Sequence, residues 1–172
     1  MSKQSNKNVS KIRPLLRDIT IFAIVMYAIT QWQGRNLLDD DGTVVIKNQN
    51  LVTLQGVTTP LFPLMPESEK NTLIYFFAPW CNVCAFSIGN LSGLNEDNLN
   101  IVRVALDYSS ASEVQEFVSQ NNVLGDVFLG NDALKSKFNI PGYPTYYMLD
   151  KNQKIVASSM GYSSTLGLKL TE

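Results

Sequence analysis

The chain contains two cysteines, Cys81 and Cys84, three positions apart in the stretch YFFAPWCNVCAFSIGNL, residues 75 to 91. Two thiols at this spacing can exchange disulfides with a partner protein. In that reaction an exposed Cys81 thiolate attacks the partner's disulfide, and Cys84 resolves the mixed disulfide by closing a ring within the chain. The pair is therefore a candidate redox dithiol.

Other interpretations of the two cysteines stay open. Zinc and iron–sulfur sites need about four soft ligands, and this chain has two cysteines and no histidine, so neither site is expected within one chain. A Cu(I) ion held by two thiolates is an alternative. Another is that both cysteines are simply small buried side chains. Against this, Cys81 follows a predicted strand and opens a predicted helix, where free amides and the helix dipole favour a thiolate.

The elements predicted around the pair alternate between strand and helix. The apolar run TLIYFF, residues 72 to 77, predicts a central strand covered on both faces, and a helix should run from Cys81 to about Leu94. Further strands are predicted at NIVRVALD, VFLG, TYYMLD and KIVASSM, and further helices after the capping box SASE and at DALKSKF. Because parallel strands need crossover connections, this order predicts an α/β fold with a mixed sheet flanked by helices.

The segment before the central strand is predicted to be irregular. Residues 34 to 66 are assigned to a linker and an N-terminal β-hairpin, and residues 67 to 172 to the α/β domain. The hairpin is expected in VVIKNQNLVTLQG, with its turn at KNQN. The following TTPLFPLMPESEK contains three prolines and should be a surface loop.

Residues 15 to 33 are predicted to be a transmembrane anchor. Sixteen residues without a charge, ITIFAIVMYAITQWQG, lie between Asp18 and Arg35. A bilayer core of about 30 Å needs roughly 20 helical residues, with a range that starts near 17, and Arg17 and Trp32 at the interfaces can extend the span. A cleaved signal peptide is the main alternative, although its best cleavage site, Ala-Ile-Thr, is poor. An amphipathic surface helix fits less well because the run is apolar all round.

The distribution of charge predicts the orientation of this anchor. Five basic residues lie in the first eighteen positions, and an acidic triplet follows the apolar run at residues 39 to 41. The positive-inside rule then gives a cytoplasmic tail over residues 1 to 14, a single pass through the inner membrane, and a domain that faces the periplasm. From residue 36 onward there are eight basic and fourteen acidic side chains, which would repel phosphate backbones, so nucleic-acid binding is not expected.

The motifs FFAPWCNVC and NIPGYPTYYMLD together resemble the thioredoxin superfamily. With the predicted anchor and hairpin, the chain is similar to the TlpA/ResA group of membrane-anchored thiol-disulfide oxidoreductases, a set that includes the suppressor-of-copper-sensitivity D-type proteins. The resemblance covers roughly residues 60 to 165. It implies a thioredoxin-like fold and no cofactor beyond a redox-active Cys81–Cys84 disulfide.

The resemblance also implies a substrate site. In that superfamily the proline matching Pro144 is cis and sits against the cysteines, and the backbone of the preceding residue, here Tyr143, holds an extended peptide. Trp80 and Thr145 are expected to line the same site. The expected partners are protein thiols or disulfides and a membrane thiol-electron transporter.

The sequence departs from the superfamily at two places. Tyr75 and Ser87 stand where relatives carry a buried acid, so the proton acceptor for Cys84 must be water, the Tyr75 hydroxyl or a group of the partner. The dipeptide Asn82-Val83 lacks the proline or histidine of well-known members, and without a histidine one means of stabilising a thiolate is lost. We therefore expect a reductase. The alternatives are a disulfide-donating oxidase and a peptide-binding module without turnover.

Overall fold

The structure is a computed structural model, and the residues it describes are 17–25, 27–29, 36–61, 70–94 and 99–163. The chain divides into two compact units, Met1–Arg35 and Asn36–Glu172. In the first unit, the described residues are helical and exposed. Among all described residues, no helix has the length and apolar character needed to cross a bilayer. The predicted anchor lies partly outside the described residues and stays a prediction.

A seven-stranded mixed sheet forms the second unit. The strands are β1 Asn50–Thr53, β2 Thr58–Pro60, β3 Asn71–Phe77, β4 Leu99–Ala105, β5 Val127–Leu129, β6 Thr145–Leu149 and β7 Ile155–Met160. Their order across the sheet is β2-β1-β5-β4-β3-β6-β7. β3 and β5 run parallel to β4, and the other neighbouring strands are antiparallel. The predicted mixed α/β sheet is confirmed.

The central strand β3 is buried on both faces, as its continuous apolar run predicts. The described helices of this unit are α1 Asn82–Ile88, α2 Ala111–Gln120 and α3 Asp132–Lys137, and a 3₁₀ turn, Gly89–Gly93, follows α1. Because side chains alternate along a strand, Tyr75 and Phe77 join one core with α1 and α2, while Ile74 and Phe76 join a second core with α3. Two separate cores therefore fix the sheet from both sides.

The helix starts follow local capping chemistry. Ser110 caps α2 by accepting the Glu113 amide, as the predicted capping box requires, and the Glu113 carboxylate accepts the Ser109 amide at 2.7 Å, one residue before the N-cap. The helix predicted from Cys81 to about Leu94 is shorter than expected, because regular α-helix ends at Ile88 and tightens into the 3₁₀ turn at Gly89.

The N-terminal hairpin is present, but its register differs from the prediction. The turn lies at residues 54 to 57, not at KNQN, and Gly56 takes a φ of 82° there. Val45 instead forms an isolated bridge with Lys154. The start of the predicted proline-rich loop is the edge strand β2, and its last residue, Pro60, lies on an edge where a missing amide is tolerated.

Candidate active site

The carboxyl end of β3 delivers Cys81 to the start of α1. The Cys81 amide donates to the Ala78 carbonyl at 3.1 Å, and Cys81 is the N-cap of the helix. Its Sγ accepts the Cys84 amide at 3.2 Å. A disulfide joins the two cysteines, whose Cα atoms are 5.2 Å apart, within the usual range for such bonds. The structure thus brings together the two residues predicted to react.

The two cysteine residues differ in exposure. Cys81 is 8% exposed, whereas Cys84 is 0% exposed and belongs to the core beneath α1. On reduction, the Cys84 amide and the helix N-terminus can stabilise negative charge on Cys81 Sγ. A partner can therefore reach the disulfide from the Cys81 side.

Hydroxyl groups lie beneath Cys84, at the positions where relatives were expected to carry an acid. The Tyr75 hydroxyl donates to the Cys84 carbonyl at 3.1 Å and lies 3.0 Å from Ser87 Oγ. Burial raises the pKa of Tyr75 well above its usual range, and burial also raises the pKa of Tyr146, whose ring packs against Tyr75. Among the described residues, no aspartate or glutamate is buried. The raised pKa favours a neutral Tyr75 hydroxyl, and its hydrogen bond to the Cys84 carbonyl makes it a donor in this site.

The loop before β6 covers the exposed side of the disulfide. The Tyr143–Pro144 peptide bond is cis, as the resemblance implied, and the Tyr143 carbonyl oxygen lies 3.7 Å from Cys81 Sγ. Pro144 is buried. Thr145 is also buried, and its hydroxyl donates to the Gly142 carbonyl at 2.8 Å. Its side chain therefore turns into the loop and not toward a bound peptide.

Trp80 lies against the cis-proline loop at the edge of the site. Trp80 is 61% exposed, and its ring contacts the Tyr143 ring edge-on, with centroids 5.8 Å apart. The indole N–H donates to the Asp107 carbonyl at 2.8 Å. An extended peptide that approaches Cys81 would meet the surface formed by the two contacting rings, Trp80 and Tyr143.

Comparison with known proteins gives one answer at the level of fold and superfamily. No protein-family model matches the chain. A thioredoxin-like protein of Haemophilus influenzae is 27% identical over 164 residues, which cover 93% of this chain and 94% of the relative. The crystal structure of StoA from Bacillus subtilis superposes with a TM-score of 0.62 at 19% identity, covering 74% of this chain and 97% of StoA. A secreted Mycobacterium tuberculosis disulfide oxidoreductase gives a TM-score of 0.59 at 20% identity, covering 72% and 92% of the two chains.

The chain belongs to the thioredoxin-like superfamily. Its Cys-x-x-Cys disulfide lies at the first helical turn after the central strand, so it is a thioredoxin-like oxidoreductase, as predicted. The individual roles predicted for Cys81, Cys84, Trp80, Tyr143, Pro144 and Thr145 remain predictions. The structure clusters the first five of these around the disulfide and turns the Thr145 side chain away.

Two residues of this thioredoxin-like site were missed by sequence reasoning. Asp107 follows β4, and Lys135 lies on α3, where its Nζ is 2.5 Å from Asp107 Oδ2 and 5.7 Å from the Tyr143 ring centroid. Because β3 and β4 are parallel, their carboxyl ends meet at one edge of the sheet, so the position of Asp107 could have been found. No local pattern indicates Lys135.

Proposed function

We propose that the protein is a membrane-anchored thiol-disulfide oxidoreductase that exchanges its Cys81–Cys84 pair with partner proteins, mainly as a reductase. One observation carries this proposal. A disulfide in which Cys81 is slightly exposed and Cys84 is fully buried lies beside the Tyr143 carbonyl, an edge to which an extended peptide can pair.

The proposed reaction transfers two electrons from the protein to the partner. The Cys81 thiolate attacks one sulfur of the partner's disulfide, forms a mixed disulfide and releases one partner thiolate. The Cys84 thiolate then attacks Cys81 Sγ, closes the internal disulfide and expels the second partner thiolate. The two protons lost by the cysteines end on the two partner thiols, so the reaction balances without a cofactor.

The proton on Cys84 needs an acceptor outside the core. With no buried carboxylate among the described residues and the Tyr75 hydroxyl donating to a carbonyl, we assign this role to water or to the partner's first leaving thiolate. In the second case, the partner thiolate that leaves first takes the proton from Cys84 and so converts Cys84 into the attacking thiolate.

The reductase direction is supported by the dipeptide Asn82-Val83. A histidine between the cysteines would stabilise the thiolate and favour the reduced form, as in strong oxidants, and this chain has no histidine. As a reductase the protein needs electrons from a membrane thiol transporter.

An extracytoplasmic location is supported by the N-terminal residues. The described helical residues expose apolar side chains, including Phe22 at 68% and Tyr27 at 66%, and five basic residues lie in the first eighteen positions. One structural neighbour is described as secreted. We propose a single-pass inner-membrane anchor with the catalytic domain in the periplasm, and a place in the TlpA/ResA group, which the N-terminal hairpin on the sheet edge also supports.

The first experiment uses the full chain in detergent. Reduced protein is mixed with an equimolar disulfide-linked peptide, and the thiols of both are counted after acid quenching; two thiols lost by the protein and two gained by the probe are expected. Redox titration against dithiothreitol then tests direction. A potential of about −270 mV supports the reductase, whereas one of about −120 mV reverses the direction.

A peptide-binding module without turnover is the second candidate, favoured because no carboxylate of the described residues is buried beneath Cys84. It predicts that the double variant Cys81→Ser, Cys84→Ser binds a peptide as tightly as the native chain, and that the native chain shows negligible exchange. Rapid thiol transfer in the first experiment would reject it.

A further inference from the structure

Four side chains from four separate segments meet beside the disulfide and are termed the outer cluster. They are Trp80 from the turn after β3, Asp107 from the turn after β4, Lys135 from α3, and Tyr143 from the cis-proline loop. Trp80 contacts the Tyr143 ring, the Trp80 indole donates to the Asp107 carbonyl, and Lys135 lies against both Asp107 and Tyr143. The contacts therefore form a closed ring.

Asp107 connects the two halves of the outer cluster. Its main-chain carbonyl accepts the Trp80 indole N–H at 2.8 Å, and its carboxylate pairs with the Lys135 ammonium at 2.5 Å. Its φ of 49° lies in the left-handed region, which Asp and Asn adopt more readily than other non-glycine residues. Asparagine at this position would keep the backbone and remove only the charge.

Lys135 links the outer cluster to the core on the other face of the sheet. Its neighbour Leu134 is buried in that core with Phe76 and Phe138. The Lys135 ammonium lies 5.7 Å from the Tyr143 ring centroid, inside the range of about 6 Å for an attractive cation–π contact. Through its side chain, Lys135 thus connects the cis-proline loop to helix α3.

We propose that Lys135 and Asp107 are positioning residues, which set the affinity for a peptide substrate by holding Trp80 and Tyr143 together as one aromatic surface beside Cys81. This inference rests on the proposed function. A surface that is already ordered spares the substrate the entropic cost of ordering it on binding. Neither charged group touches the reacting sulfur, so the effect falls on binding and not on the exchange step.

The test compares a substrate long enough to contact this aromatic surface with one that is too small to do so. Full-length reduced protein in detergent is mixed under single-turnover conditions with a decapeptide whose one cysteine is disulfide-linked to 2-mercaptoethanol. The parallel reaction uses bis(2-hydroxyethyl) disulfide, which has no peptide backbone. Rapid quenching and thiol alkylation, followed by mass spectrometry, give the half-saturation concentration and the limiting rate for each.

The variants are Lys135→Met, Asp107→Asn and the double variant, with Lys135→Arg as the conservative rescue. Lys137→Met is the matched control, because Lys137 lies on the same helix but contacts the Lys47 carbonyl and Gln49. We expect Lys135→Met to raise the half-saturation concentration for the peptide by about fivefold or more, with an unchanged limiting rate and an unchanged rate with the small disulfide. The double variant should be no worse than Lys135→Met, and Lys135→Arg should recover most of the affinity.

Several results would overturn the proposal. One is an unchanged half-saturation concentration in Lys135→Met and Asp107→Asn. Another is a parallel fall of the rate with the small disulfide, which would indicate general damage to the disulfide region. The proposal would also be overturned if Lys137→Met raised the half-saturation concentration as much as Lys135→Met. Failure of the proposed function is distinguishable, because the native chain would then react with neither disulfide.

Discussion

The two flanks of the Cys81–Cys84 disulfide are built from different chemistry. The flank of Cys81 is the outer cluster, in which a charged pair and two aromatic rings remain partly open to solvent. The flank of Cys84 is an inner cluster of Tyr75, Ser87 and Tyr146, in which neutral hydroxyls and rings exclude water. One disulfide therefore has a side suited to recognition of a partner and a side suited to protection of the second thiol.

This contrast explains how three-residue spacing yields two different reactivities. Cys81 gains an amide hydrogen bond from the start of α1 and is slightly exposed. Cys84 lies one turn further along, where the helix meets the core. The asymmetry comes from the surroundings of the two sulfurs, because their intrinsic chemistry is the same.

The largest effect is expected from replacing one of the two cysteines with serine. Cys81→Ser should abolish exchange with a peptide disulfide, because a serine hydroxyl does not replace a thiolate as the nucleophile. Cys84→Ser should retain the first attack but lose resolution, so a mixed disulfide with Cys81 should accumulate. Non-reducing electrophoresis and peptide mass mapping distinguish the two. A mixed disulfide that accumulates on Cys84 of the Cys81→Ser variant would reverse the assigned roles.

Removing one inner hydroxyl should have a smaller effect. Tyr75→Phe deletes the donor to the Cys84 carbonyl and is expected to cost about 1–3 kcal/mol of unfolding free energy. Tyr147→Phe is a matched control in the other core, where the Tyr147 hydroxyl donates to the Phe138 carbonyl at 2.8 Å. Denaturant unfolding should give similar losses for both variants. Only Tyr75→Phe should also slow exchange, because of these two tyrosines only Tyr75 contacts α1; equal exchange rates would contradict this distinction.

The inner cluster should also give the protein an alkaline limit. Burial raises the pKa of Tyr75 and of Tyr146 in the folded chain, whereas an unfolded tyrosine titrates near about 10. Above that pH the unfolded chain loses protons that the folded chain keeps. Stability is therefore fully present below about pH 10 and falls as the pH rises toward the folded pKa, by up to about 1.4 kcal/mol per unit for each tyrosine. Unfolding measured between pH 9 and about 11 should show a shallower slope for Tyr75→Phe, and an unchanged slope would exclude Tyr75 as a contributor.

The smallest expected effect on stability concerns Phe86 on α1. Phe86 is 77% exposed, so Phe86→Ser should change the unfolding free energy by no more than about 0.5 kcal/mol. Phe86 is nevertheless close in sequence to Cys84, and its loss should weaken the binding of apolar peptide disulfides. Leu124→Ser is the control, since Leu124 is similarly exposed at 68% and precedes β5. Equal peptide affinity in both variants would remove Phe86 from the partner-binding surface.

The inner flank could be predicted from the sequence better than the outer one. The strand TLIYFF, the placement of Cys81 at its end and the capping box before α2 are local signals, since each depends on residues within a few positions. The Tyr75 and Ser87 positions also follow, because both belong to elements defined by apolar spacing. The hydrogen-bond partners of these two hydroxyls could be identified only from the structure.

The failures of prediction have a common physical cause. The hairpin turn was placed at KNQN because those residues suit turns, but long-range pairing decides the register: Val45 bridges to Lys154, and β1 pairs with β5. Likewise the Lys135–Asp107 pair joins positions 28 residues apart. Contacts between distant segments leave no periodic pattern in the sequence, so only the folded chain reveals them.

The sulfur of Cys81 has a second task that follows from its position as the N-cap of α1. The atom that would be attacked and reduced is also the acceptor for the Cys84 amide. A thiolate is a stronger acceptor than a neutral sulfur, so the gain of negative charge on Cys81 should tighten this hydrogen bond. The exchange of the Cys84 amide hydrogen with deuterated solvent should therefore slow when the protein is reduced. The exchange rate of this one amide would then report the redox state of the Cys81–Cys84 pair.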